Sequence, residues 1–322
     1  MADFIAPMLA KPATKPLKDN TFYEDYIAEP KHDGMRVIIV KDEQRIEVFG
    51  RSGKVYTKHV PHLVEALDPL MPPNTVVDGE LGYIDKTVDY IPVVNFNKTM
   101  RVMGSLPDRA VRLQEQQGGL NVILFDVLEW SGEKLLDAQW KDRRDVLKTY
   151  FDDKPHDYIK VNPIFISPYN FPNIFNRLTS VGIEGLVLKN IYAGYSPGVR
   201  ANRTWYKFKS VKTFDVVVTG FTEGQGKYLG QIGAIKFGAY DWRGKLVEVG
   251  KCSGMDDATR KYWTGVRDGL ADMPEKLNRY VIEVKCNELV GSGEYRTPRH
   301  PQYVSQRLDK LPTECSMEQF KS

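Results

Sequence analysis

Glu29-Pro30-Lys31-His32-Asp33-Gly34-Met35-Arg36 sets a lysine just ahead of an Asp-Gly turn and an arginine within the apolar run MRVIIV, residues 35–40. The run predicts a strand. Asp-Gly alone is a strong hairpin signal, and a lysine beside a turn is ordinarily solvated. What lifts this segment above that reading is the company it keeps. Asp78-Gly79-Glu80-Leu81 ends a second predicted strand, 75–78. Phe125-Asp126-Val127 lies inside a third, 122–127, and Glu184-Gly185 opens a fourth, 186–189, which ends in Lys189. Trp205-Tyr206-Lys207-Phe208-Lys209 reads as a fifth, whose period of two puts Lys207 and Lys209 on one face. Arg307-Leu308-Asp309-Lys310 follows near the C-terminus. Each fragment is common, but their order along one chain is not.

Helical spacing predicts helices at 62–66, 108–117, 138–151 and 171–180, the third capped by Asp137, so this part of the chain is α+β. Beyond Ser210 the texture changes. Residues 214–221, 232–237, 246–249 and 280–284 read as strands, several separated by Gly-rich turns, with one helix at 256–270. A few strands with one inserted helix predict a small Greek-key barrel such as an OB-fold, although periodicity alone fits other small barrels equally. The length of 322 residues exceeds what a single core usually serves, and the expected division is 1–211 and 212–322.

Composition excludes more than it identifies. The 45 Lys and Arg against 42 Asp and Glu leave a net charge of only +3. Many nucleic-acid binders are more basic, so any nucleic-acid-binding surface must come from local placement of cations. No apolar stretch approaches the roughly 18 residues of a membrane span. The N-terminal stretch has no signal-peptide core. Cys252, Cys286 and Cys315 are too few and too scattered for a disulfide framework, which points to a reducing, intracellular setting. Gly224-Gln225-Gly226-Lys227 lacks the spacing of a P-loop, and no HExxH is present. His32 and His59 are expected on the surface.

The ordered series KxDGxR, DGE, FD, EG, KxK and RxDK resembles the covalent nucleotidyltransferase superfamily of ATP-dependent DNA ligases, RNA ligases and mRNA capping enzymes. Within it, the chain is similar to minimal DNA ligases of bacteriophage or bacterial type, over about residues 7–310. The resemblance implies an ATP-grasp-like adenylation (nucleotidyltransferase) domain followed by an OB-fold domain. It also implies ATP as AMP donor, Mg2+, nicked double-stranded DNA as partner, no membrane, and a monomer. Lys31 becomes the residue that forms lysyl-AMP.

An amine attacks phosphorus only when neutral. Free lysine titrates near about 10.4, and neighbouring cations lower that value. Arg36, Lys207, Lys209 and a bound metal would be such neighbours. The resemblance assigns Lys207 and Lys209 to the α-phosphate, Glu29 to the adenine amino group, Phe125 to the purine face, Arg36 to ribose or phosphate, and Lys189 to the nucleotide. Glu80 falls to ribose or a metal and Glu184 to the metal, since magnesium takes oxygen ligands. Arg51, in the Gly-rich turn 50–54, matches an arginine that grips the 5′-phosphate of the nick. Arg307 and Lys310 would form a mobile lid over the leaving pyrophosphate, with Arg296 and Arg299 in that lid or on DNA.

Two other classes compete. Capping guanylyltransferases share RxDK, and Glu29 is what favours ATP over GTP; the resemblance implies that most RNA ligases lack RxDK. A non-enzymatic OB-fold binder of single strands would leave the whole N-terminal series of motifs unexplained.

Overall fold

Val37, Ile38, Ile39 and Val40 are all buried, so the strand they form lies in a sheet covered on both faces. The computed structural model describes residues 2–13, 15–152, 156–201, 203–291 and 293–321. It comprises two compact units, Met1–Lys209 and Ser210–Ser322.

The first unit begins with β1 (Lys11–Pro12), β2 (Tyr26–Lys31), β3 (Met35–Lys41), β4 (Ile46–Gly50), α1 (Pro61–Leu67), β5 (Thr75–Val88) and β6 (Ile91–Asn95). It continues through α2 (Phe96–Met103), α3 (Pro107–Gln117), β7 (Asn121–Trp130), β8 (Glu133–Lys134) and α4 (Trp140–Leu147). It closes with β9 (Ile159–Val161), α5 (Phe171–Ser180), β10 (Gly185–Asn190) and β11 (Trp205–Lys209). The larger sheet follows the path β4-β3-β5-β7-β8, with β6 added to β5 and β9 to β7; the smaller runs β1-β11-β10-β2.

Alternation along the strands decides what each face carries. Val37, Ile39, Val48 and Leu124 pack with Leu63 and Leu67 of α1, Leu113 of α3 and Leu147 of α4. Ile38, Val40, Val76 and Leu128 share the opposite cluster with Met8, Tyr195 and Trp205. Each fully buried isoleucine contributes about 1.5–3 kcal/mol, so a charge at either face of β3 would be strongly destabilising. In the smaller sheet, Tyr26, Ala28, Leu186, Leu188 and Tyr206 bury against Phe171, Ile174 and Leu178 of α5. Glu29, Lys31, Lys189, Lys207 and Lys209 occupy alternate positions and therefore share the other face. Arg36 lies over Trp205, and Lys189 donates to the Phe125 carbonyl, so the two sheets meet on the faces that carry these residues.

Several local expectations are corrected. Asp33-Gly34 is not a hairpin, because β2 and β3 belong to different sheets. Gly34 is required there for space: a Cβ would lie 2.2 Å from the Leu81 carbonyl oxygen. The second predicted strand does not end at Glu80 but runs on to Val88. The helix expected over 138–151 is α4 followed by a π-turn, Lys148–Asp152, and the residue before α4 is Gln139, with no side-chain cap from Asp137. His32 and His59 are buried, not on the surface.

The second unit runs β12 (Lys212–Glu223), β13 (Ile232–Tyr240), β14 (Leu246–Cys252), α6 (Asp257–Gly269), β15 (Val281–Cys286), β16 (Leu289–Val290), β17 (Thr297–Pro298) and β18 (Gln302–Gln306). Its sheet has the order β14-β13-β12-β15-β18. A single parallel bridge between Ser253 and Gln302 brings the two outer strands together. Val216, Val218, Ile235 and Phe237 pack on Trp263 of α6 and on Phe320. Asp256 caps α6 by accepting from the Thr259 N–H at 2.8 Å. Among the described residues no helix is long and apolar enough to cross a membrane.

Candidate active site

Lys31 is the last residue of β2, an edge strand, which is why Pro30 is tolerated beside it. Gly185 pairs with Lys31 on one side and with Lys209 on the other. The residue before that glycine, Glu184, takes both ammonium groups, Lys31 on Oε2 and Lys209 on Oε1. Gly185 makes the arrangement possible: its φ is +155° and a Cβ would lie 2.0 Å from the Phe208 carbonyl oxygen. Lys207 stands two residues from Lys209 on the same face and forms no ion pair among the described residues. Burial lowers its pKa, and the charges of Lys209 and Lys31 lower it further.

On the larger sheet, Arg36 faces Asp78 and Glu80. Its guanidinium holds Asp78 through Nε at 2.9 Å and Nη2 at 2.6 Å, while one side packs on Phe125, 5.0 Å from the ring centroid. Burial opposes that charge, but Asp78 and the Tyr195 hydroxyl override it and raise the arginine's pKa. Tyr195 donates to Asp78 at 2.7 Å and accepts from the Met8 N–H at 2.8 Å. Arg36 is therefore committed to Asp78. Glu80 accepts from the Gly34 N–H at 3.1 Å. Burial pushes its carboxyl up to about 7, with Glu184 adding to the rise and Lys31 and Arg36 opposing it.

Glu29 is buried and anchored on one oxygen only. Oε2 pairs with Lys189 at 2.9 Å and accepts from Asn162 Nδ2 at 3.1 Å, whereas buried Oε1 has no hydrogen-bond partner among the described residues. Burial raises the pKa of Glu29 and lowers that of Lys189, and each charge offsets the other's shift. Lys189 also donates to the Phe125 carbonyl at 2.8 Å and lies over the rings of Phe125 and Trp205. Phe125 is half-buried and edge-on to Trp205. An unpartnered acceptor near a half-open aromatic ring fits a flat base with an exocyclic amino group.

The carboxylates also suit a magnesium ion. Glu80 and Glu184 lie close enough for one charge to raise the other's pKa, and a divalent cation between them would relieve that repulsion. Among the described residues no cluster of three or more His, Cys, Asp or Glu side chains is arranged for a metal, so phosphate and water oxygens would complete the shell.

The remaining candidates lie elsewhere. Arg51 is exposed in the turn after β4, with no ion pair among the described residues. Arg307 and Lys310 are on the second unit and are held there. Arg307 binds Asp215 at 2.8 Å and Asp309 at 2.9 and 2.8 Å; Lys310 lies 4.0 Å from Asp215 and 3.7 Å from Glu314. Arg299 pairs with Glu288 at 2.5 Å, and Arg296 is exposed. Asn162 and Tyr195 were not foreseen. An isolated asparagine before a proline and a tyrosine in a loop carry no local signal of the partners they find across the fold.

Glu80 makes the site pH-sensitive. Its folded pKa of about 7 lies above the ordinary 4.5, so between those values the folded state holds a proton that the unfolded state has lost. The stability this lends is present at low pH and disappears as pH rises through about 7. Glu80→Gln should therefore raise the melting temperature at pH 8 by a few degrees in metal-free buffer, with a smaller gain at pH 5. Thermal melts of both proteins check this. An equal gain at both pH values counts against the burial account.

The ATP dependent DNA ligase domain family matches residues 7–209, and the chain belongs to that family. It is similar to a DNA ligase of Thermococcus fumicolans, 29% identical over 325 residues, covering 97% of this chain and 57% of that protein. It is also similar to a probable DNA ligase of Nocardia farcinica, 30% identical over 325 residues, covering 95% of this chain and 60% of that protein. The chain thus spans little more than half the length of these relatives. A solved structure of a Lig E DNA ligase shares the fold, with a TM-score of 0.65 at 18% identity, covering 95% of this chain and all of that one.

Proposed function

We propose that the chain is an ATP-dependent DNA ligase that seals 3′-hydroxyl/5′-phosphate nicks in duplex DNA through lysyl-AMP on Lys31 and then a DNA-adenylate. The observation that carries this reading is the meeting of Lys31, Lys209 and Glu184 at one point of the first unit, with Lys207 two residues from Lys209 on the same strand. Three separate motifs supply those residues.

Released from Glu184 and neutral, the Lys31 amine attacks the α-phosphorus of ATP. A P–N bond forms, the bond to the β-phosphate oxygen breaks, pyrophosphate leaves and the amine's proton passes to solvent. Lys207 and Lys209 stabilise charge developing on the phosphoryl oxygens. Glu29 Oε1 accepts from the adenine amino group and Phe125 lies against the ring. Glu184 and Glu80 would hold a magnesium ion, which supplies further positive charge to the phosphates when bound. The nick's 5′-phosphate oxygen then displaces Lys31, and the 3′-hydroxyl displaces AMP. Arg51 is assigned to the 5′-phosphate.

In this reading residues 1–211 form the nucleotidyltransferase domain and 212–322 an OB-fold. What supports the second assignment is that β12 pairs with both β13 and β15, β15 pairs with β18, α6 lies between β14 and β15, and the Ser253–Gln302 bridge joins the outer strands. The protein acts as a monomer inside the cell. Incubation with ATP labelled at the α-phosphate should leave label on the protein through a denaturing gel, and GTP should leave none. Label from GTP alone would transfer the reading to a capping guanylyltransferase.

A further inference from the structure

Asn162, just past β9, is 2% exposed, and its carboxamide is directed wholly at the segment around Lys31. Nδ2 donates to Glu29 Oε2 and to the Pro30 carbonyl, both at 3.1 Å, and Oδ1 accepts from His32 Nε2 at 2.9 Å. One side chain therefore holds residues on both sides of Lys31. The asparagine is itself fixed, its N–H donating to the Leu124 carbonyl at 2.8 Å and its carbonyl accepting from Arg144 Nη1 at 2.8 Å. The partners settle the orientation of the amide: turned over, its oxygen would face a carboxylate and a carbonyl. Burial, with help from Lys31, pushes His32 down to about 4, so its ring is a neutral donor at physiological pH.

We infer that Asn162 is the positioning residue of this site, locking the backbone that carries Lys31 and turning Glu29 Oε1 toward the nucleobase amino group. The inference rests on the roles proposed above for Lys31 and Glu29. Asn162 and Lys189 both bind Oε2, which is why Oε1 is left buried and without a partner. Without Asn162 the carboxylate keeps Lys189 alone on Oε2 and is less restrained about its last bond, and the end of β2 beyond the Ala28–Phe165 bridge loses the bonds that hold Pro30 and His32. An ångström of drift at a reacting atom costs on the order of 10²-fold in rate.

The test uses the full chain, with Asn162→Ala and the isosteric Asn162→Asp, and three rates. These are self-adenylylation with ATP, self-adenylylation with purine riboside triphosphate (which lacks the 6-amino group), and sealing of a nick that already carries AMP. Asn162→Ala should slow adenylylation with ATP by about 10²-fold. It should also shrink the preference for ATP over the deamino analogue by about tenfold, because Glu29 no longer selects. Sealing of the adenylylated nick does not use Lys31 as nucleophile and starts with the AMP already tethered to the DNA, so it should lose about tenfold less than adenylylation; it also reports that the variant is folded. Asn162→Asp sets an acceptor against Glu29 and should lose at least as much. Equal losses in all three rates would make Asn162 a brace of the fold and overturn the inference. So would wild-type rates and preference in both variants while the wild type labels normally. Failure of the wild type itself to take label from ATP would instead sink the reading on which the inference rests.

Discussion

Lys31→Ala should take no label from ATP, a loss on the order of 10⁴-fold or more, and yet should still seal a nick that already carries AMP on its 5′-phosphate. The second half of the result makes the first informative, because a misfolded protein would do neither. Geometry supplies a rival that must be excluded. Lys207 lies on the same face, forms no ion pair among the described residues, and has a pKa lowered by burial and by two neighbouring lysines. On ease of deprotonation alone it would be a plausible nucleophile, while Lys31 is held by Glu184. What favours Lys31 is its placement between residues gripped by Asn162, next to the carboxylate with the unpartnered oxygen. Position relative to the reacting phosphorus outweighs ease of deprotonation. Lys31→Arg should be equally inactive in the first step, since a guanidinium does not give up its proton at usable pH. Lys207→Ala should slow labelling yet leave the label on Lys31, as peptide mapping would report. Normal labelling of Lys31→Ala would place the nucleophile at Lys207.

The strands that carry the chemistry were readable because each is a short apolar run broken by a charged residue at its end: MRVIIV, the run into Asp78, and WYKFK. Strand β2 was not, since Glu29 and Pro30 interrupt its alternation, and only the sheet-edge position explains why the strand persists through them. The parity of Lys207 and Lys209 was legible from the period of two. That Glu184 would bridge Lys209 to Lys31 was not, because it depends on the register that aligns Lys31, Gly185 and Lys209. Arg36 shows the same limit from the other side. Its motif places it close to Lys31 in sequence, but its two bonds to Asp78 come from β3 and β5 pairing in the larger sheet. Buried histidines were misplaced for a related reason. Each finds a hydrogen-bond partner, Asn162 for His32 and the Ser105 carbonyl for His59, supplied from elsewhere in the unit.

Replacing Arg307 and Lys310 together by alanine should slow self-adenylylation by about 10²-fold or more while damaging the sealing of a pre-adenylylated nick much less. A cationic lid over pyrophosphate matters only while pyrophosphate is leaving, and no pyrophosphate leaves once AMP is on the DNA. The structure adds a condition. Arg307 is engaged by both Asp215 and Asp309, and Lys310 also leans on Asp215. Asp309 is held well below the usual carboxylate range, at about 2, chiefly by its bonds to Arg307. To meet a phosphate, these cations would have to leave carboxylates that already satisfy them, so Asp215 would compete with the nucleotide for them. Asp215→Asn weakens that competitor and keeps the shape of the side chain. If Arg307 and Lys310 serve the leaving group, Asp215→Asn should adenylylate at least as fast as wild type while the double alanine variant fails. If their purpose is to brace β12 through Asp215, the two variants should lose activity alike, in both steps, and should both melt at lower temperature. Rates of the two steps on the same preparations, with a thermal melt beside each, separate these outcomes. Full activity of the double variant in both steps would reduce Arg307-Leu308-Asp309-Lys310 to a solvated turn that closes on its own carboxylates.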